Sequence, residues 1–178
     1  MIGKYVVGLL IAPAMVVGSA IYYLQVYAFY EELPASAAAD LRLTTLDGAV
    51  EPLPVTDFKG IDSTSSPIRY RVCATAETPV AEIAATYVPY AAAEPLRAPD
   101  WFDCFDAKSL ELDIEAGNAV AYLGEENKLY GIDQVVAVYP DGRTYVWNQI
   151  NSCGEVVFEG NAAPADCPEP PEGLMTDG

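Results

Sequence analysis

From Tyr5 to Tyr30 the chain runs for 26 residues without a charged side chain, between Lys4 and the pair Glu31-Glu32. A helix rises ~1.5 Å per residue, so this run would reach roughly 39 Å. That exceeds the ~30 Å hydrocarbon core of a bilayer. Segment 1–33 is therefore expected to be an N-terminal transmembrane anchor, with the rest of the chain forming a domain on one side of the membrane. A cleaved signal peptide is the alternative, because Gly18-Ser19-Ala20 has the small residues of a cleavage site. Against it, Ile21-Tyr22-Tyr23-Leu24 prolongs the apolar run well past the ~7–15 residues of a signal core. Tyr22, Tyr23, Tyr27, Phe29 and Tyr30 crowd its far end, where an aromatic belt meets lipid headgroups. Lys4 before the span and two glutamates after it put the N-terminus in the cytoplasm and the domain outside. Gly8 and Ala12, and again Ala14 and Gly18, lie four apart, a spacing that lets a second helix approach closely. Pro13 falls inside the span and is expected to kink it.

Beyond the span, eight basic residues stand against all 26 acidic ones, a net charge of −18. Such a field repels nucleic acid and anionic lipid and favours cationic partners. The acids are spread along the chain rather than gathered in a block, which also fits plain solubility. Histidine is absent. Ser-His-Asp and Cys-His catalysis, His-ligated zinc, copper or haem, and a phosphohistidine relay are thereby excluded for this chain alone. No phosphate-cradling glycine loop is present. Carboxylate chemistry stays open, yet 26 acids offer too many chance pairs for the sequence to nominate one.

Four cysteines, Cys73, Cys104, Cys153 and Cys167, suggest two disulfides in an exported domain. Three pairings are possible, and sequence cannot choose among them. The short-loop pairing, Cys73–Cys104 with Cys153–Cys167, is the favoured one. Asp100, Asp103 and Asp106 recur at three-residue steps and form a weak calcium candidate. An EF-hand pattern is lacking, so turn residues and helix caps are the plainer reading. No cofactor is expected.

Three units follow: the anchor 1–33, a domain 34–160, and an acidic, Pro-rich tail 161–178 expected to lack fixed structure beyond Cys167. In the domain, Leu41–Leu46 and Ala49–Val55 read as a hairpin around Asp47-Gly48, its second strand at an edge because of Pro52 and Pro54. Gly60–Ser66 reads as a loop. Pro67–Ala74 reads as a strand whose Arg69 and Arg71 pair with surface carboxylates. Thr78 is expected to cap a helix over Val80–Tyr87, and Ala107–Glu115 to form a second, stopped by Gly117. Asn118–Leu123, Tyr130–Tyr139 and Arg143–Ile150 read as strands, turning at Gly124–Asn127 and Pro140-Asp141-Gly142. Glu155–Phe158 adds a short strand. The fold class is α+β: one transmembrane helix and a small, disulfide-stapled domain with an antiparallel sheet and one or two short helices.

The segments Pro67–Cys73 (PIRYRVC), Trp101–Ala107 (WFDCFDA), Gly131–Tyr139 (GIDQVVAVY) and Trp147–Glu155 (WNQINSCGE) resemble an uncharacterised family, a domain of unknown function, found in short alphaproteobacterial single-pass membrane-anchored proteins. The resemblance spans most of the chain. It implies an inner-membrane anchor and a periplasmic domain, and it supplies no catalytic residue. The leading functional expectation is a non-enzymatic interaction protein, an accessory subunit or assembly factor of an inner-membrane complex. Its partners would be the bilayer, another membrane protein or complex, and a basic periplasmic protein. The second is a ligand-binding or sensing module with a pocket among Tyr70, Trp101, Phe105, Tyr145 and Trp147. The third is a carboxylate-dependent hydrolase.

Overall fold

A computed structural model describes residues 2–172, and within them the side chains of all but Ile2, Lys4, Tyr5, Val6, Gln25 and Ala28. The last six residues of the tail lie outside the described residues. The chain opens with α1 (Ile2–Tyr23), which runs on through Pro13. A π-turn over Leu24–Ala28 follows. Among the described residues no helix is long and apolar enough to cross a membrane.

Eight strands follow in two sheets. β1 (Glu31–Glu32), β4 (Val55–Asp62), β5 (Arg71–Ala76), β6 (Val120–Leu129), β7 (Ile132–Val138) and β8 (Arg143–Ile150) form a six-stranded sheet in the order β1-β4-β5-β8-β7-β6. Every pairing in it is antiparallel. The remaining strands, β2 (Arg42–Thr44) and β3 (Val50–Pro52), make the expected hairpin. Gly48 sits at φ +87° in its turn, where a side chain would be strained.

Both faces of the large sheet are covered. All seven residues of β7 are buried, Asp133 and Gln134 among them, as a strand packed on two sides is. One face carries Val72, Val136, Val138 and Val146 against Leu41, Leu43 and Leu53 of the hairpin region and Ile83 of α2 (Val80–Thr86). The other carries Cys73, Val135, Ala137 and Trp147 against Phe102, Phe105 and Leu110. The last of these belongs to α3 (Ala107–Glu115). Fully burying each of these large aliphatic or aromatic side chains contributes about 1.5–3 kcal/mol.

Two disulfides tie the layers, Cys73–Cys104 and Cys153–Cys167, which is the short-loop pairing. The first staples the 89–106 segment onto β5. The second pins residue 167 to α4 (Ser152–Phe158).

Several local expectations are corrected. Glu155–Phe158 is helical, because the Asn151 side chain accepts a hydrogen bond from Gly154 N and starts α4. Gly60–Ser66 is not wholly a loop: β4 runs to Asp62. Pro67–Arg69 forms a 3₁₀ turn, so β5 begins only at Arg71. Pro79, rather than Thr78, occupies the cap position of α2. Gly124–Asn127 is no turn; β6 continues through it with two shifts of register and reverses at Gly131, φ +74°.

Candidate functional site

Arg71 shows how far local pairing rules fall short in this domain. It is 3% exposed, and no carboxylate lies within ion-pair distance of it; among the described residues the one ion pair is Arg143–Asp141. Its guanidinium instead donates to the carbonyls of Leu96 (2.7 Å), Ile68 (2.8 Å), Tyr70 (2.6 Å) and Arg97 (3.2 Å). Burial lowers its pKa to about 10, so it stays charged at neutral pH. Arg71 thus sews the 96–97 loop to the sheet.

The aromatic set expected to line a pocket is divided between the two faces. Tyr70 packs with the hairpin layer. Phe105, Trp147 and Tyr145 pack on the opposite face, Phe105 edge-on to Tyr145 and Trp147 with ring centroids 5.9 and 6.4 Å apart. Trp147 is fully buried, so its surroundings are filled core. Trp101 packs at the edge of this same group, edge-on to Phe102, and forms a collar where the N-terminal helix meets the domain. Its indole N–H donates to the Val26 carbonyl at 2.7 Å. Its ring stacks on Tyr27 at 6.4 Å and meets Tyr30 edge-on at 6.2 Å. The Arg69 guanidinium lies over Phe29 (5.8 Å) and Tyr30 (5.6 Å).

Gly8, Ala12, Ala14 and Gly18 are exposed on α1, and a Cβ added to Gly8 or Gly18 would meet no atom within 4 Å. Asp100, Asp103 and Asp106 border one surface pocket together with Arg97 and Lys108, and among the described residues no group of three or more acids or cysteines is placed to hold a metal. Asp106 caps α3, accepting from Ser109 N at 3.1 Å and from its hydroxyl at 2.8 Å. These bonds, the hydroxyl's first, hold its pKa below the usual carboxylate value.

A cavity of about 490 Å³ opens on the hairpin side of the sheet. Leu33, Ala37 and Asp40 wall it from the chain entering the domain, Asp62 and Ser63 from the end of β4, and Lys128 and Leu129 from the end of β6. Asn148 and Tyr70 line it as well. The Lys128 amine stands 5.3 Å from the Tyr70 ring centroid. Burial pushes the Asp62 carboxyl up and the Lys128 amine down, each toward its neutral form. Asn148 is 7% exposed. Its amide nitrogen donates to the Pro67 carbonyl at 2.9 Å, while its Oδ1 has no partner among the protein atoms. Directly across the strand pair, Gln134 leaves both ends of its buried amide without a protein partner. Three such atoms side by side are uncommon in a folded interior.

Sequence reasoning missed this cavity. Of its lining only Tyr70 was singled out, and for another location. Lys128 and Asp62 look like ordinary surface charges. One usable signal was the placement of Gln134 and Asn148 within strands that are otherwise core.

The fold and site together define a disulfide-stapled α+β domain, built on a fully antiparallel sheet covered on both faces and joined to an N-terminal apolar helix through an aromatic collar. The chain belongs to a family whose model, described as "Family of unknown function (DUF6446)", matches residues 41–168. The matched part contains all four cysteines, the cavity's Asp62, Lys128 and Asn148, and both layers of core. No curated protein and no solved structure matches the chain.

Proposed function

We propose that this protein is a non-enzymatic, membrane-anchored interaction domain held on the periplasmic side of an inner membrane, serving a larger membrane complex as an accessory subunit or assembly factor. The observation that carries the reading is α1. Leu9, Leu10, Met15 and Val16 are 74, 69, 68 and 69% exposed, an apolar surface that water does not favour. The uncharged run from Tyr5 to Tyr30 supports an anchor, and the collar of Trp101, Tyr27 and Tyr30 supports a fixed stand-off at headgroup level. Two disulfides fit an oxidising compartment. Either small-residue pair of α1, Gly8 with Ala12 or Ala14 with Gly18 on a different side, would pack against another helix, and the acidic domain would attract a basic partner.

The test is fractionation and gentle affinity purification of the full chain. The intact chain is expected to stay with membranes through carbonate extraction, to keep its first residues, and to bring down stoichiometric membrane proteins. A mature chain beginning near Ile21, or a solitary monomer in mild detergent, would overturn the reading. Recovery of a basic partner should fall as salt rises.

A second reading, a ligand-binding or sensing domain, is supported by the cavity around Lys128, Asp62 and Asn148 rather than by the aromatic residues. Carboxylate hydrolysis has no comparable support: the acid with a raised pKa, Asp62, faces a lysine.

A further inference from the structure

We propose that the cavity beneath the Ala35–Asp40 turn binds a small amphoteric molecule, a free α-amino acid with an aliphatic side chain. Its carboxylate would lie on Lys128, and its ammonium on Asp62. The inference rests on the second reading above and gives the class of ligand.

Three observations converge. First, Lys128 is a half-buried cation with, among the described residues, no carboxylate in ion-pair range, though Glu125, Asp40 and Asp62 lie near enough to favour its charged form. The face of Tyr70 stands 5.3 Å from its amine. An ammonium stripped of part of its water gains most from an anion brought beside it. Second, an acceptor is left over in the same cavity. One Asp62 oxygen accepts from Ser63 N at 2.7 Å, and among the described residues no protein donor reaches the other. A ligand ammonium carries three donors and can meet that oxygen. Third, Leu33, Ala37 and Leu129 provide an apolar wall. About 490 Å³ lies within the size range of small-ligand sites.

The charges also separate this class from simpler ones. A plain organic anion drawn to Lys128 would meet Asp40 and Asp62 in the same cavity. A plain amine drawn to those acids would meet Lys128. Only a molecule carrying both charges satisfies the two sides, as expected where specificity comes from leaving a wrong ligand's partners unpaired.

The test uses the full chain in lipid nanodiscs with labelled methyl groups and three probes of one aliphatic skeleton. These are L-leucine, 3-methylbutylamine (which lacks the carboxylate) and 4-methylpentanoate (which lacks the ammonium). L-leucine is expected to shift the methyls of Leu33, Leu129 and Ile132 saturably, and the other two to bind at least tenfold more weakly. Lys128→Gln should weaken L-leucine at least tenfold and leave 3-methylbutylamine unchanged. Asp62→Asn should weaken L-leucine and 3-methylbutylamine and leave 4-methylpentanoate unchanged. Thermal unfolding of both variants shows whether they are folded. If the amine or the acid alone binds at these methyls as tightly as L-leucine, the amphoteric class is wrong while ligand binding stands. If none of the three shifts them, both fail.

Discussion

At the scale of single residues, the tightest constraint is a contact between two glycines. Gly131 turns β6 into β7 at φ +74°, and Gly154 in α4 lies against it. A Cβ on Gly154 would collide with the Gly131 carbonyl oxygen and stand 2.9 Å from its Cα. Backbone cannot yield there as a flexible side chain could. Gly154→Ala should therefore destabilise the domain by about 1–3 kcal/mol, read as a lower denaturant midpoint at unchanged slope. Acid titration offers a second residue-scale check. The Asp106 cap has a folded pKa below the usual 3.8, so its contribution is present above that value and lost as pH falls through the folded one. The unfolding midpoint of Asp106→Ala should lie below that of the parent at neutral pH and converge on it in strong acid. Asp62 behaves oppositely. Its folded pKa lies above 3.8, so its contribution is present below that value and fades as pH rises through the folded pKa. Asp62→Asn should remove that dependence and unfold at a higher temperature near neutrality.

Elements were legible where one signal governed them. β8 follows the clean alternation of Arg143–Ile150, and α3 follows Asp106 as cap and Gly117 as stop, with Gly117 at φ +75°. The hairpin follows Asp47-Gly48. Elsewhere a tertiary contact overrode the local pattern. β4 escaped notice because Asp57 takes φ +52° and the register slips between Thr56 and Lys59. Gly60, which looks like a loop residue, sits inside that strand, where a Cβ would press on the Phe58 ring at 2.8 Å. Gly124 misled in the same way, since its missing side chain lets β6 pass Gln134 rather than turn. Phe158 and the valines before it have strand propensity, but Asn151 and the Gly131 contact impose α4. The cavity was illegible for a related reason. It joins residues from four places in the chain, and only the β7–β8 register sets Gln134 beside Asn148.

For the whole molecule, the covalent ties decide how the layers stay together. Cys73–Cys104 closes a separation of 31 residues and Cys153–Cys167 one of 14. By loop entropy alone the first is worth about 3.7 kcal/mol and the second about 3. Cys73→Ser with Cys104→Ser should thus lower stability more than Cys153→Ser with Cys167→Ser. The first pair should also expose the 89–106 segment to protease, whereas the second should expose only the chain after α4. Equal costs, or cleavage at 161–167 in both, would refute this division of labour.

The collar has a practical outcome. The chain has two tryptophans, and Trp147 is sealed inside the sheet while Trp101 sits at the base of the apolar helix. With Trp147→Phe, the remaining emission becomes a native optical test of the anchor proposed above. Were α1 inserted in a bilayer, quenchers attached at graded depths along acyl chains would report how near the junction lies to the lipid without any added label.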